Sequence, residues 1–214
     1  MFLLILCSGW SLVSPFDVSP NPDFRNLYTS VFCADLDGDG YLDLTVANSG
    51  SNTISILRNK GDGTFQRGVN YAVGNSPHSI FCVDLDRDGH LDLAVANSES
   101  NTISILKNKG DGTFQSVVNY GVGNHPTSIF CVDLDGDGRL DLAVANSGSN
   151  TISILKNKGD GIFQSAVNYE AGNLPTSIFC ADLDGDRHLD LAVANSESNT
   201  ISLLKNNGDG SFQV

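Results

Sequence analysis

Asp133-Leu134-Asp135-Gly136-Asp137-Gly138-Arg139-Leu140-Asp141 places carboxylates at loop positions 1, 3, 5 and 9 and a glycine at position 6. Alternate residues of a tight loop can aim their oxygens at one point, and four carboxylates meeting there repel one another unless a hard cation lies between them. Calcium suits such a set, because it takes roughly six to eight oxygen ligands at about 2.3 to 2.6 Å in tolerant geometry. On this reading Arg139, at position 7, offers its backbone carbonyl and points its side chain away, while Gly138 supplies the left-handed conformation of the turn.

The pattern recurs at Asp35 to Asp43, Asp84 to Asp92 and Asp182 to Asp190, with successive first aspartates forty-nine residues apart. Asp and Gly also make ordinary solvated turns. Four copies in one register point instead to a repeat protein with a metal loop in each unit. The predicted carboxylate ligands are Asp35, Asp37, Asp39 and Asp43 in the first unit and Asp84, Asp86, Asp88 and Asp92 in the second. The third contributes Asp133, Asp135, Asp137 and Asp141, and the fourth Asp182, Asp184, Asp186 and Asp190. These quartets account for sixteen of the twenty-five acidic residues, so four calcium ions would take the formal charge from -13 to -5. The acidity is thus chiefly a metal-site signature. The twelve basic residues form no run, and no nucleic-acid groove is expected.

Cys33, Cys82, Cys131 and Cys180 share one repeat position inside an apolar run, which reads as a small buried hydrophobe rather than a disulfide framework. Phe2 to Cys7 resembles the apolar part of a secretory signal without its basic flank. No stretch is apolar over the ~18 residues that a membrane-spanning helix needs.

Residues 1–27 are irregular and punctuated by Pro15, Pro20 and Pro22, and the repeats occupy residues 28–214. In the second unit Ser79 to Val83 reads as a strand covered on both faces, and Leu91 to Ala96 alternates large with small as a packed second strand would. Thr102 to Lys107 is a β-branched third strand, and Asn108-Lys109-Gly110-Asp111-Gly112 a hairpin turn. Phe114 to Tyr120 is expected to form a more polar outer strand. Four strands and no helix signal in every forty-nine residues predict an all-β chain, a propeller or partial propeller of four four-stranded blades. Phe16 holds the register of Phe65, Phe114, Phe163 and Phe212. Its segment is therefore expected to supply the outer strand of the last blade. If it does not, the array is expected to associate with further blades or another chain.

The aspartate loop followed by Asn108-Lys109-Gly110-Asp111-Gly112-Thr113-Phe114 resembles the FG-GAP and VCBS repeat families, the former familiar from the integrin alpha-chain propeller. The resemblance covers roughly residues 28 to 214. It implies calcium in the loop between the first two strands of each blade, held by the aspartates and by the carbonyls of Tyr41, His90, Arg139 and His188. Two departures stand out: Arg187 replaces the position-6 glycine, which makes the fourth loop the weakest expected site, and Ile162 replaces the turn threonine. An EF-hand is excluded by Val46, Val95, Val144 and Val193, which stand where its bidentate Glu belongs.

No nucleophile elbow, phosphate loop or Cys and His zinc spacing is present, so a non-enzymatic protein is expected. The expected role is a calcium-binding secreted or cell-surface module for adhesion or recognition of a protein or glycan. The alternatives are a purely structural repeat, or a non-catalytic accessory domain of a larger extracellular enzyme. Any ligand is expected at the end opposite the calcium loops, where otherwise near-identical units differ. There Ser76 and His78 become His125 and Thr127, then Leu174 and Thr176, and Glu99 becomes Gly148, then Glu197.

Overall fold

The computed structural model describes residues 28–213, which form sixteen strands and no helix. The first unit comprises β1 (Tyr28–Ala34), β2 (Asp43–Asn48), β3 (Thr53–Leu57) and β4 (Val69–Ala72). The second has β5 (Pro77–Val83), β6 (Asp92–Asn97), β7 (Thr102–Leu106) and β8 (Val118–Gly121). The third has β9 (Pro126–Val132), β10 (Asp141–Asn146), β11 (Thr151–Leu155) and β12 (Val167–Glu170). The fourth has β13 (Pro175–Ala181), β14 (Asp190–Asn195), β15 (Thr200–Asn206) and β16 (Phe212–Gln213). Each unit is a separate antiparallel sheet with its strands in chain order. The first strands are innermost, β5 packing on β1, β9 on β5 and β13 on β9. This is the blade arrangement that the repeat period predicts.

Side-chain size explains how the blades stack. In β6, Leu93 and Val95 pack with the first unit, whereas Ala94 and Ala96 pack with Ile129, Cys131, Leu142 and Val144 of the third. The period-2 alternation of a strand thus gives each blade one face with small positions and one with large ones. Both β6 and β10 are buried along their whole length. A row of rings, Phe32, Phe81, Phe130 and Phe179, runs across the innermost strands with centroids 5.8, 5.5 and 5.2 Å apart.

Several expectations change. The outer strand is not continuous from Phe114: that residue makes an isolated bridge with Asn108, and regular pairing resumes only at Val118. The cause is the Phe114 ring, drawn into the core beside Tyr71 of the preceding blade at 5.3 Å in edge-on contact, which bends the chain out of the ladder. The thiols are free, and Cys82, Cys131 and Cys180 are buried as expected, but Cys33 is exposed. Burial pushes the Cys82 and Cys180 thiols up to about 12. Among the described residues β13 does not pack on β1 as successive first strands pack on one another, so the four blades form an open array. The closing segment expected around Phe16 lies outside the described residues.

Candidate functional site

The residue that organises each loop is the aspartate at position 9. Asp43, Asp92, Asp141 and Asp190 open the second strand of each blade and are almost wholly shielded from solvent. Each spans two connections. One oxygen accepts the backbone N–H of the position-2 leucine (Leu36, Leu85, Leu134 and Leu183, at 3.0 to 3.1 Å). The other accepts the N–H of the turn asparagine after the third strand (Asn59, Asn108, Asn157 and Asn206, at 2.8 to 2.9 Å). Burial pushes the Asp92 and Asp141 carboxyls up to about 6 and raises that of Asp43, although the two N–H bonds oppose the shift.

The position-1 aspartates shape the loop in a similar way. Asp133 accepts N–H bonds from Gly136 and Gly138, both at 2.8 Å, and Asp35, Asp84 and Asp182 do the same in their loops. A carboxylate oxygen bound once retains a lone pair for a cation. Three carboxylates per loop present oxygens that lie within 4.8 Å of one another: Asp84, Asp86 and Asp92; Asp133, Asp135 and Asp141; Asp182, Asp184 and Asp190; and, in the first loop, Asp35, Asp37 and Asp39. An ion with bonds of about 2.4 Å can bridge oxygens that far apart. Asp37 Oδ1 is buried without a hydrogen-bond partner, as an atom reserved for a cation would be.

The quartets predicted from sequence therefore converge as triads. Asp88, Asp137 and Asp186 at position 5 stand off the cluster, as does Asp43 in the first loop. Those three position-5 carboxylates accept the N–H of position 7, from His90, Arg139 and His188, at 2.8 to 2.9 Å, and Asp39, within its triad, accepts that of Tyr41 at 2.9 Å. Nor does the Arg139 side chain point away. Its guanidinium pairs with Asp137 at 2.5 Å, and its Nε donates to the Asn157 carbonyl. The Tyr41, His90 and His188 rings lie over the turn glycines Gly61, Gly110 and Gly208, where an added Cβ would come within 2.6 to 2.8 Å of the ring.

Sequence reading overlooked a cation in each loop. Lys107 lies 3.2 Å from Asp86, Lys156 3.5 Å from Asp135 and Arg58 3.8 Å from Asp37, while Lys205 contacts both Asp184 and Asp186. The signal was available, since Arg58, Lys107, Lys156 and Lys205 recur at forty-nine residues. Position 4 was overlooked too: its φ is +76° at Gly38, +65° at Arg87, +74° at Gly136 and +84° at Gly185, as left-handed as position 6. Arg187 at position 6 has φ +73°, while its N–H still donates to Asp182. The fold thus holds a side-chain-bearing residue in a conformation that costs about 1 kcal/mol or more. Replacing Arg187→Gly is expected to stabilise the chain by ~1 kcal/mol and to tighten cation binding at that loop. Thermal melts and calorimetric titration of the variant check this, and equal affinity at all four loops of the unmodified chain would count against it.

The opposite end carries the variable residues. His78, Glu99, His125, Leu174, Thr176 and Glu197 are exposed there, and Ser76 and Thr127 are half-buried. Ser76, His125 and Leu174 all adopt φ between +51° and +56°, and their N–H groups donate to Asn52, Asn101 and Asn150 of the preceding blade. Their carbonyls receive the N–H of Ser98, Ser147 and Ser196. One backbone frame therefore displays different side chains.

A family model for FG-GAP-like repeats matches residues 35–95, 84–144 and 133–193, each match running from one aspartate loop through the next. A search of curated proteins finds no match. Among solved structures, BBS1N in complex with ARL6DN matches with TM-score 0.62 and 19% identity over 86% of this chain and 55% of its own. A virginiamycin B lyase from Staphylococcus aureus matches with TM-score 0.59 and 18% identity over 91% and 56%. An Agrocybe aegerita lectin that recognises non-reducing terminal N-acetylglucosamine matches with TM-score 0.54 and 24% identity over 86% and 50%. The chain spans about half the length of these structures, and its architecture is β-propeller-like. The family match and the recurring aspartate loop agree over residues 35–193, and the chain belongs to the FG-GAP-like repeat family.

Proposed function

We propose that this chain is a calcium-rigidified recognition module of a secreted or cell-surface protein, binding a protein or glycan rather than catalysing a reaction. The observation that carries the calcium reading is the triad of carboxylate oxygens within 4.8 Å, repeated once in every blade. The donors are hard oxygens, as calcium requires, and burial raises the Asp92 and Asp141 carboxyls of two triads, so that they resist ionising without a counter-ion. A cation there would tie the first loop of a blade to its second turn through Asp92, Asp141 or Asp190 in the second, third and fourth blades, and would be held by Asp35, Asp37 and Asp39 in the first, with Tyr41, His90, Arg139 and His188 contributing carbonyls. Calcium of this kind is structural. Extracellular fluid holds enough of it to fill sites of modest affinity, and no helix among the described residues is long and apolar enough to cross a membrane.

Recognition is assigned to the end opposite the metal loops, where a rigid frame presents varied side chains. The lectin shares the fold and binds a sugar, which supports a glycan as the first ligand class to test. Replacing His78, Glu99, His125 and Glu197 together by Ala is expected to abolish binding on a glycan array while leaving the melting temperature unchanged. Binding retained by the fourfold variant would overturn the placement.

A purely structural role is the second reading, and one observation favours it. The His125 ring lies over Gly148, where an added Cβ would meet it at 2.7 Å, so the glycine that replaces Glu99 and Glu197 makes room for the histidine. Part of the variation at this end thus has a packing cause. An accessory role beside an enzyme is the third, tested by whether a hydrolase or lyase domain is encoded in the same gene.

A further inference from the structure

The three blade junctions are built alike. At each, apolar positions of one blade's trailing face meet the leading face of the next: Leu36, Ile54 and Ile56 pack with Ile80, Cys82, Leu93 and Val95, and the register mates of these residues repeat the contact twice more. A buried polar clasp accompanies the contact. Asn108 Nδ2 donates to the Leu36 carbonyl at 2.7 Å, Asn157 to Leu85 at 2.9 Å and Asn206 to Leu134 at 2.8 Å. In the other direction Arg58, Lys107 and Lys156 donate to the carbonyls of Asp111, Asp160 and Asp209 in the following blade.

Both halves of this junction are left open at the ends of the array. On the fourth blade Leu183, Ile201 and Leu203 are 50, 71 and 60% exposed, although their register mates in the other blades are at most 3% exposed. On the first blade Val31 is 62% exposed, whereas Ile80, Ile129 and Ile178 are at most 5% exposed. The clasp is split in the same way. Asn59 Nδ2 donates only to Leu42, while its three counterparts each make a second bond across a junction. Lys205, with no following turn among the described residues to reach, folds back onto Asp184 and Asp186. Repeat arrays ordinarily cap such faces with polar residues, and a soluble chain rarely leaves large apolar patches uncovered.

We propose that the free trailing face of the fourth blade receives the first blade of a second copy of this chain, head to tail, through a fourth junction of the same construction. A second copy is the occupant that the observations specify. It brings Val31, Cys33, Leu44 and Val46 at the register of Ile80, Cys82, Leu93 and Val95, the Asn59 amide for the Leu183 carbonyl, and the Asp62 carbonyl for Lys205. A junction of two different faces is heterologous, so two copies joined at both ends close a ring, and a non-closing rotation would extend a filament.

Sedimentation equilibrium of the full chain tests this, with Ile201→Asp on the trailing face and Val31→Asp on the leading face. The unmodified chain is expected at twice 22.7 kDa or a higher whole multiple, and each variant at 22.7 kDa with unchanged circular dichroism. Mixing the two variants restores the doubled mass, because one junction of the mixed pair has both faces intact. Should either variant misfold, Leu203→Asp and Leu42→Asp take its place on the same faces. A monomeric unmodified chain would overturn the proposal, including the case in which other residues of the chain cover these faces. So would dimerisation that survives the leading-face substitution, which would mean that the trailing faces pair with each other.

Discussion

Withdrawing calcium with a chelator is expected to lower the melting temperature of this chain by at least about 5 °C. A cation that binds only the folded state stabilises it by about 2.7 kcal/mol per independent site at a hundredfold excess over Kd. A domain of roughly this size shifts by about 2 to 4 °C per kcal/mol. The four loops are not expected to add in full. Arg187 strains the fourth, where Lys205 already lies against both Asp184 and Asp186 and holds the Asp184 carboxyl below its usual range. Melts in calcium, in magnesium and in chelator measure the effect, and coincident curves in calcium and chelator would falsify the calcium reading.

The same experiment has a pH dependence of fixed sign. Without metal, Asp92 and Asp141 titrate near about 6 in the folded chain, above the ordinary value of 3.8 that unfolding restores. A group raised in this way contributes stability that is fully present below the unfolded value and is lost as pH rises through the folded one. The chelated chain should therefore lose stability between about pH 4 and pH 7 on account of these two residues. A bound cation favours the ionised form and removes that loss. The gap between melts in calcium and in chelator is accordingly expected to widen from pH 4.5 to pH 7.5, and a constant gap would show that these carboxylates are not ligands.

How far the sequence could be read depended on which interactions lie within one unit. The register of Asp133, Asp84 and their counterparts, with strand-like alternation between them, was enough for the blade count and the strand order, because both follow from local pattern. Leu93-Ala94-Val95-Ala96 already carried the large and small faces of a junction. The misreadings concern contacts made across loops or across blades. Arg139 returns to Asp137 through a turn whose shape the spacing does not specify. Phe114 leaves the outer strand because Tyr71 of the preceding blade receives it. Cys33 differs from its register mates only because no described blade covers it. Position 4 was missed for another reason: Gly38, Gly136 and Gly185 were given no role, although their recurrence, broken at Arg87, marked a second left-handed position.

The convergence of three carboxylates rather than four leads to a further expected result: Asp141→Ala should destabilise the chain by about 2 to 4 kcal/mol even in chelator, far more than Asp137→Ala. Asp141 is fully buried, and its two oxygens accept the N–H groups of Leu134 at 3.1 Å and Asn157 at 2.8 Å. Leaving each donor unpaired costs ~1 to 3 kcal/mol, partly offset because a desolvated carboxylate is removed with them. The melting temperature should fall by roughly 5 to 15 °C. Asp137 is exposed, bonds only the nearby Asp135 to Arg139 segment and stands off the triad, so its loss should cost under about 1 kcal/mol. Asp141→Asn retains one acceptor oxygen and should fall between the two. Asn157 also donates to Leu85 of the preceding blade, so the damage should extend across that junction and broaden the transition. Equal melting of Asp141→Ala and Asp137→Ala in chelator would show that position 9 serves the metal alone; the hydrogen bonds on both its oxygens predict that it holds the blade together first.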